Sequence, residues 1–144
     1  MRHLMKFGAF AATFALGWAV CAAVLQDKKV VVIDSAKAEF KPVAPGASMA
    51  VVMGDPEKGK HAAFVKFVPG AKFDTHHHTN DLRLVVLKGA YVYKGKNGEE
   101  HRVGPGMFIS TPGGDIHWSG GDEKEGALFY MEGEGKFDLI PEKK

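Results

Sequence analysis

Three consecutive histidines, His76, His77 and His78, lie in the glycine-bounded stretch 70–89. The apolar, β-branched run that follows them predicts a strand. Because neighbouring side chains on a strand point to opposite faces, His76 and His78 share one face and His77 takes the other. Two imidazoles on one face can bind the same metal ion through bonds of about 2 Å. A second glycine-rich stretch supplies the candidate third ligand, His117.

Size and charge limit the classes of function that the chain can have. A length of 144 residues predicts one domain with its own core, and 18 glycines favour a β-rich fold with many tight turns. Two of the 19 basic residues, Arg2 and Lys6, lie in the N-terminal leader, and the others balance the 17 acidic residues. Without a basic stripe, nucleic acid is not an expected partner. The single cysteine, Cys21, also lies in the leader, so we expect no disulfide in the domain.

The N-terminal leader, residues 1–25, is a short charged segment followed by an uncharged apolar run, which is typical of an export signal. Its length is also close to the ~20 residues that span a bilayer, so we expect either a cleaved signal peptide or a membrane anchor. In both cases the domain would lie outside the cytoplasm, with the periplasm as the expected compartment. Residues 26–37 are predicted as a linker or first strand, and residues 38–144 as the folded domain.

Short strands separated by glycine and proline turns fill the rest of the chain, without a helical period. The predicted strands are residues 29–33, 48–53, 61–68, 82–87, 90–94, 100–103, 107–110, 127–131 and 137–140. The near-continuous apolar run 82–87 predicts a strand buried on both faces. Asn97-Gly98 indicates a hairpin. The pattern predicts an all-β fold, an antiparallel β-barrel or jelly roll.

The two glycine-rich stretches resemble the paired motifs of the cupin superfamily. The first motif, G-x5-H-x-H-x3-E-x6-G, is matched by Gly70, His76, His78 and Gly89, with Leu82 at the glutamate position. The second, G-x5-P-x-G-x2-H-x3-N, is matched by Gly106, Pro112, Gly114 and His117, with Gly121 at the asparagine position. Residues 53–57, 79–89 and 135–139 are further similar to an uncharacterised bacterial cupin family. That family is related to the cupin half of zinc-dependent anti-sigma factors and, more distantly, to acetylacetone-cleaving dioxygenases.

The resemblance implies a cupin fold over roughly residues 38–141, with a divalent metal ion on His76, His78 and His117. Fe(II) or Zn(II) is the implied ion, with Ni(II) and Mn(II) as alternatives. The resemblance also implies a homodimer formed by edge-strand pairing. Because Leu82 cannot ligate, three neutral nitrogens would leave the charge of the ion uncompensated and favour an anionic, bidentate ligand.

The predicted pocket beside the metal contains four further residues. Leu82 stands at the missing glutamate, and Asp81 could replace that carboxylate if the strand bulges by one residue. Phe108 and Trp118 are expected to line the mouth of the cavity. The residues outside the pocket are expected to have structural roles: His77 and Arg83 facing outward, His61 and His101 at the surface or at a strand edge, and Asp115 capping its turn.

Together, these expectations predict an exported metal-binding cupin. It would act on a small oxygenated molecule, dicarbonyl-like or carboxylate-like, by dioxygenase-like chemistry. No catalytic residue is identified, although Asp81 and His77 are candidate general bases. A non-catalytic cupin that binds a metal or small ligand is the first alternative. A metal-free structural cupin, whose barrel serves dimerisation, is the second.

Overall fold

The computed structural model describes residues 30–143, and the eleven regular elements in that range are all β-strands. They are β1 Lys41–Ala44, β2 Ala47–Gly54, β3 His61–Phe67, β4 Lys72–His77, β5 Leu82–Gly89, β6 Tyr91–Gly95, β7 Glu100–Val103, β8 Phe108–Thr111, β9 His117–Gly121, β10 Ala127–Gly133 and β11 Ile140–Pro141. The compact unit that carries them begins at Val32. The predicted leader 1–25 lies outside the described residues. Within the described range, no helix is long and apolar enough to cross a membrane.

The strands form two antiparallel sheets that face each other. The six-stranded sheet has the order β1-β2-β3-β10-β5-β8, and the five-stranded sheet has the order β11-β4-β9-β6-β7. Their inward-facing side chains make up one hydrophobic core: Met49, Ala63, Val65, Leu82, Leu84, Val86, Tyr91, Tyr93, Val103, Ala127, Phe129 and Met131. The structure therefore confirms the predicted all-β jelly roll.

Four aromatic rings join the two sheets at one end of this core. Phe67 of the six-stranded sheet lies 4.6 Å from Phe73 and 5.9 Å from Tyr91 of the other sheet, measured between ring centroids. Phe129 meets Phe67 edge-on at 5.1 Å. Aromatic pairs at these separations stabilise a core beyond the area that they bury. The cluster fixes the spacing between the sheets close to the histidine-bearing strands.

The chain ends depart from the strand predictions. Residues 30–33 are not in a strand, and Lys29 lies outside the described residues. The first strand is instead β1, which was not among the predicted strands; an edge strand tolerates Pro42 because one side of its backbone needs no partner. At the other end, Ile140 alone of the predicted strand 137–140 lies in a strand, the two-residue β11.

The prediction that residues 82–87 are buried on both faces is wrong. Burial alternates along β5: Leu82, Leu84 and Val86 point into the core, whereas Leu87 is exposed. In the sequence, a continuous apolar run looks the same whether one face or both faces of the strand are buried. The alternation follows from the two-layer architecture, because no third layer formed by residues 30–143 covers the outer face of the six-stranded sheet.

Two glycines with positive φ, one crowded by neighbouring backbone and one in open space, give a matched test of how closely the chain packs. Gly126 has φ +65°, and a Cβ there would lie 2.2 Å from the carbonyl oxygen of Phe67; Gly98 has φ +87° and open space around it. We expect Gly98→Ala to lower the free energy of unfolding by about 1 kcal/mol, the cost of the left-handed backbone alone. Gly126→Ala should cost about 3 kcal/mol, because the chain must also move. Urea unfolding measures both values, and equal losses would contradict the described contact.

Candidate metal centre

The three motif histidines converge because two neighbouring strands carry them. His76 in β4 and His117, the first residue of β9, are direct partners across the antiparallel ladder. His78 follows one residue after the end of β4 and turns to the same face as His76. The ring centroid of His76 lies 4.5 Å from that of His117 and 5.1 Å from that of His78. The predicted sharing of one face by His76 and His78 is what the structure shows.

The cluster is buried, and its ligand atoms are close together. His76 and His117 are each 1% exposed and His78 is 8% exposed. One potential ligand atom from each ring lies within 4.8 Å of the other two. Burial lowers the pKa of His76 to about 4 and also lowers that of His78. These two rings are therefore neutral at pH 7, which is the state that binds a metal ion.

Main-chain carbonyls fix the orientation of all three rings. Each Nδ1 lies at hydrogen-bond distance from a carbonyl oxygen, which can only accept, so each Nδ1–H must donate. The carbonyl partners of His76, His78 and His117 are Asp74 at 2.6 Å, Asp138, and Asp115 at 3.0 Å, respectively. The proton on Nδ1 leaves the lone pair on Nε2 free, which is the usual arrangement of metal-binding histidines.

The donor set fits a divalent metal ion. The Nε2 atom of His117 is buried and has no hydrogen-bond partner among the described residues. A buried nitrogen without a partner costs free energy, and a cation shared with the two neighbouring rings would satisfy it. Three imidazoles suit Zn(II), Fe(II) and Ni(II). The arrangement is thus compatible with the predicted metal site, and the identity of the ion is open.

A second layer of side chains supports His117. Tyr93 stacks on the His117 ring with centroids 5.1 Å apart, and its hydroxyl donates a 2.8 Å hydrogen bond to the carboxylate of Asp115. That carboxylate lies 3.4 Å from Nδ1 of His117. Burial and the bond to Asp115 raise the pKa of Tyr93 to about 12, so the hydroxyl keeps its proton. Asp115 therefore orients His117 through Tyr93 and its own carbonyl, rather than capping its turn as predicted.

A cavity of about 300 Å³ opens beside the cluster, with His76 and His78 in its wall. Most of the remaining wall is apolar: Val43, Ala44, Ala47, Met49, Val65, Phe67, Phe73, Leu82, Leu84, Phe129, Met131, Phe137 and Leu139. Three hydroxyl residues complete the wall: Tyr91, Thr111 and Ser119. A mainly apolar pocket with a few polar groups at one place is typical of a small-molecule site.

Of the four predicted pocket residues, only Leu82 lines this cavity. Asp81 accepts a 2.9 Å hydrogen bond from the amide of Gly113 and lies near Arg83, so its carboxylate fixes a turn and does not join the histidines. Phe108 is 60% exposed, because it pairs with Val85 on the outward-facing register of β5 and β8. Trp118 follows His117 on β9 and so points to the opposite face.

The structure tests the structural roles that were predicted for four residues outside the pocket. His77 faces away from the cluster and bonds Glu142 at 2.6 Å, and Arg83 pairs with Glu134, both as predicted. His101 is exposed and bonds Glu99 at 2.7 Å, also as predicted. The prediction for His61 is wrong: it is 3% exposed and points inward. A sequence cannot show this burial, because it depends on Gly133, which leaves room for the ring on the neighbouring strand.

The C-terminal strap, residues 137–142, connects the cavity to the ligand His78. Phe137 and Leu139 line the cavity, while β11 pairs with β4. The carbonyl of Asp138 accepts the Nδ1–H of His78. The Asp138 carboxylate accepts bonds from the amide and hydroxyl of Thr79, at 2.9 and 2.6 Å. This pair of bonds holds the carbonyl in place against His78.

Asp138→Ala is expected to weaken binding of a divalent metal about tenfold without unfolding the barrel, because outer partners of metal ligands contribute factors of about 10–100. Glu142→Ala is the matched control, since it removes a carboxylate of the same strap that bonds the outward-facing His77. Isothermal titration with Zn²⁺ measures both affinities. Equal effects of the two changes would show that Asp138 does not position His78.

Fold and site together define a cupin: a two-sheet jelly roll that presents histidines of both cupin motifs from adjacent strands. Residues 28–136 match the family described as the ChrR cupin-like domain. This match spans well over half of the chain, and the protein belongs to that family.

Individual relatives agree with this assignment. The DNA damage-repair/toleration protein DRT102 of Arabidopsis thaliana is 34% identical over 105 residues, which is 71% of this chain and 32% of that protein. The chain thus spans about a third of the length of this curated relative. KdgF from Halomonas sp. is 25% identical with a TM-score of 0.56, covering 69% of this chain and 90% of that one. The polyketide cyclase RemF of Streptomyces resistomycificus shares the fold, with a TM-score of 0.66, 15% identity, and coverage of 81% and 87%.

Proposed function

We propose that this protein is a metal-dependent enzyme that acts on a small dicarbonyl-like molecule by dioxygenase-like chemistry. The observation that carries the proposal is the carboxylate-free cluster of His76, His78 and His117 beside an apolar cavity. A divalent ion held there would supply a Lewis acid and, if it is iron, oxygen activation. Because the three imidazoles are neutral, the 2+ charge of the ion would be left for an anionic, bidentate substrate to compensate.

The cavity wall favours a substrate that ionises readily. Among the described residues, no carboxylate and no basic side chain other than histidine lines the cavity. Both predicted general bases, Asp81 and His77, bond other groups outside it. A β-dicarbonyl loses its proton easily once its oxygens bind a cation, so it needs no strong base from the wall. This requirement supports a dicarbonyl over a substrate with weakly acidic protons.

The chain's own hydroxyl groups can orient such a ligand. Burial raises the pKa of Tyr91 to about 12, so its phenol stays protonated, and Ser119 lines the same cavity wall. Ser119 lies two residues after His117 on β9 and therefore faces the same side. The pair gives the cavity a fixed polar point near the ligand nitrogens, while the apolar wall excludes water.

Oxygen uptake by the iron-loaded protein with a panel of β-dicarbonyls tests this function. We expect uptake with at least one compound and its loss in His76→Gln. Loaded protein that consumes no oxygen with any compound of the panel would contradict the enzymatic proposal.

A non-catalytic binding module is the second candidate, because the family is named for a ChrR cupin-like domain and not for a reaction. It predicts that the metal-loaded protein binds the same dicarbonyls and releases them unchanged. Mass spectrometry of the recovered ligand separates the two candidates.

Export and dimerisation complete the proposal. The charged and apolar leader supports secretion to the periplasm or attachment to its membrane. The edge strands β1 and β8 support pairing between two copies. Cell fractionation with N-terminal sequencing tests the first, and light scattering of the purified domain tests the second.

A further inference from the structure

The cavity walls restrict the part of the ligand that does not touch the metal. We infer that the ligand carries a chelating pair of oxygens at one end and an apolar tail, up to about the size of a benzene ring, at the other. This inference rests on the metal centre proposed above and adds the class of tail to it. It excludes sugars, polyols and dicarboxylates as the molecules that the site prefers.

The volume sets the size of the tail. The cavity measures about 300 Å³. An apolar protein cavity of about 150 Å³ holds one benzene molecule. A head that binds the ion and a single ring therefore fit together in the space.

The cavity wall offers few polar groups to a ligand tail. Besides the two histidines, its polar side chains are the hydroxyls of Tyr91, Ser119 and Thr111, and that of Thr111 lies 3.5 Å from the carbonyl of Leu82, to which it donates. Among residues 30–143, no lysine, arginine or carboxylate lines the cavity. A tail with several hydroxyl groups or a second carboxylate would lose more hydrogen bonds to water than these few side chains can replace, which costs free energy.

Aromatic side chains lie where the tail would go. Phe67, Phe73 and Phe129 belong to the ring cluster that joins the two sheets, and all three line the cavity. Two further wall residues, Val43 and Leu139, are 49% and 41% exposed and so border the opening to solvent. Apolar atoms thus line the route from solvent to the histidines, as an apolar tail requires.

Cobalt-loaded protein provides a reading that does not depend on turnover, because the visible spectrum of Co(II) responds to its ligands. We would titrate it with acetohydroxamate, benzohydroxamate and gluconohydroxamate, which share one chelating head and differ in the tail. Benzohydroxamate is expected to bind at least tenfold more tightly than acetohydroxamate, after correction for their affinities for free Co(II). Gluconohydroxamate is expected to bind more weakly than acetohydroxamate.

A matched pair of leucines tests whether the cavity causes this preference. Leu139→Ser makes the border of the cavity polar and should reduce the benzohydroxamate preference about threefold. Leu87→Ser is the control, because Leu87 is 42% exposed, almost the same as Leu139, and lies outside the cavity. Val43→Ser provides a second cavity variant if Leu139→Ser disturbs the strap.

The outcomes separate this inference from the proposed function. Failure of cobalt to bind would count against the metal centre and overturn the inference with it. Normal cobalt uptake with equal affinities for the three hydroxamates, or tightest binding of gluconohydroxamate, would overturn the inference alone. A preference that Leu87→Ser lowers as much as Leu139→Ser would also overturn it.

Discussion

Replacement of His117 by alanine is expected to abolish binding of a divalent metal ion while the jelly roll stays folded. The other two ligands come from one short segment, and His117 alone supplies a nitrogen from β9. Two imidazoles without a third hold an ion at least about 100-fold more weakly than the complete set. Titration with Zn²⁺ measures the loss, and far-UV circular dichroism with urea unfolding verifies the fold.

His101→Ala is the matched control for this prediction. His101 bonds Glu99 at the surface, and its side chain is about half exposed. Its removal is expected to leave the metal affinity unchanged. Survival of high affinity in His117→Ala, or an equal loss in His101→Ala, would show that the third ligand is wrongly assigned.

Addition of zinc to the metal-free protein is expected to raise its melting temperature strongly. A ligand at about 1,000 times its Kd stabilises the native state by about 4 kcal/mol, which corresponds to a rise of roughly 15 °C for a domain of this size. The effect follows because the ligand nitrogens are brought together only in the folded state: His76 and His117 lie 41 positions apart in the chain. Differential scanning calorimetry after treatment with a chelator measures the shift.

Magnesium is the control ion for this measurement. It prefers oxygen ligands in near-octahedral geometry, whereas the cluster offers three nitrogens. Magnesium should therefore leave the melting temperature unchanged. A shift with Mg²⁺ equal to that with Zn²⁺ would indicate a general effect of divalent ions, and the absence of any shift with zinc would contradict a folded-state metal site.

Local patterns in the sequence are enough to predict the fold and the three clustered histidines. The Asn97-Gly98 turn joins β6 and β7 as predicted, and strand alternation places His76 and His78 on one face. The same alternation could have corrected the prediction for Trp118, which is adjacent to His117 and must point away from it. Phe108 could not be placed in this way, because its face depends on the register between β5 and β8.

The supporting groups of the site could not be predicted, because they come from distant parts of the chain. Asp138 reaches His78 across 60 positions, and Tyr93 reaches Asp115 across 22. Neither contact has a local signal, since each arises only when distant segments meet in the folded domain. The apolar cavity is similar: its wall comes from both sheets and the strap, and only their packing brings these residues together.

The metal content of the wild-type protein tests the central claim most directly. The protein would be purified without added metal, measured by inductively coupled plasma mass spectrometry, and then titrated with Fe(II), Zn(II), Ni(II) and Mn(II). The arrangement of His76, His78 and His117 predicts one divalent ion per chain. This ion should be lost in His117→Ala, which removes one of the three imidazoles. A protein that is purified empty and takes up none of the four ions would contradict the account.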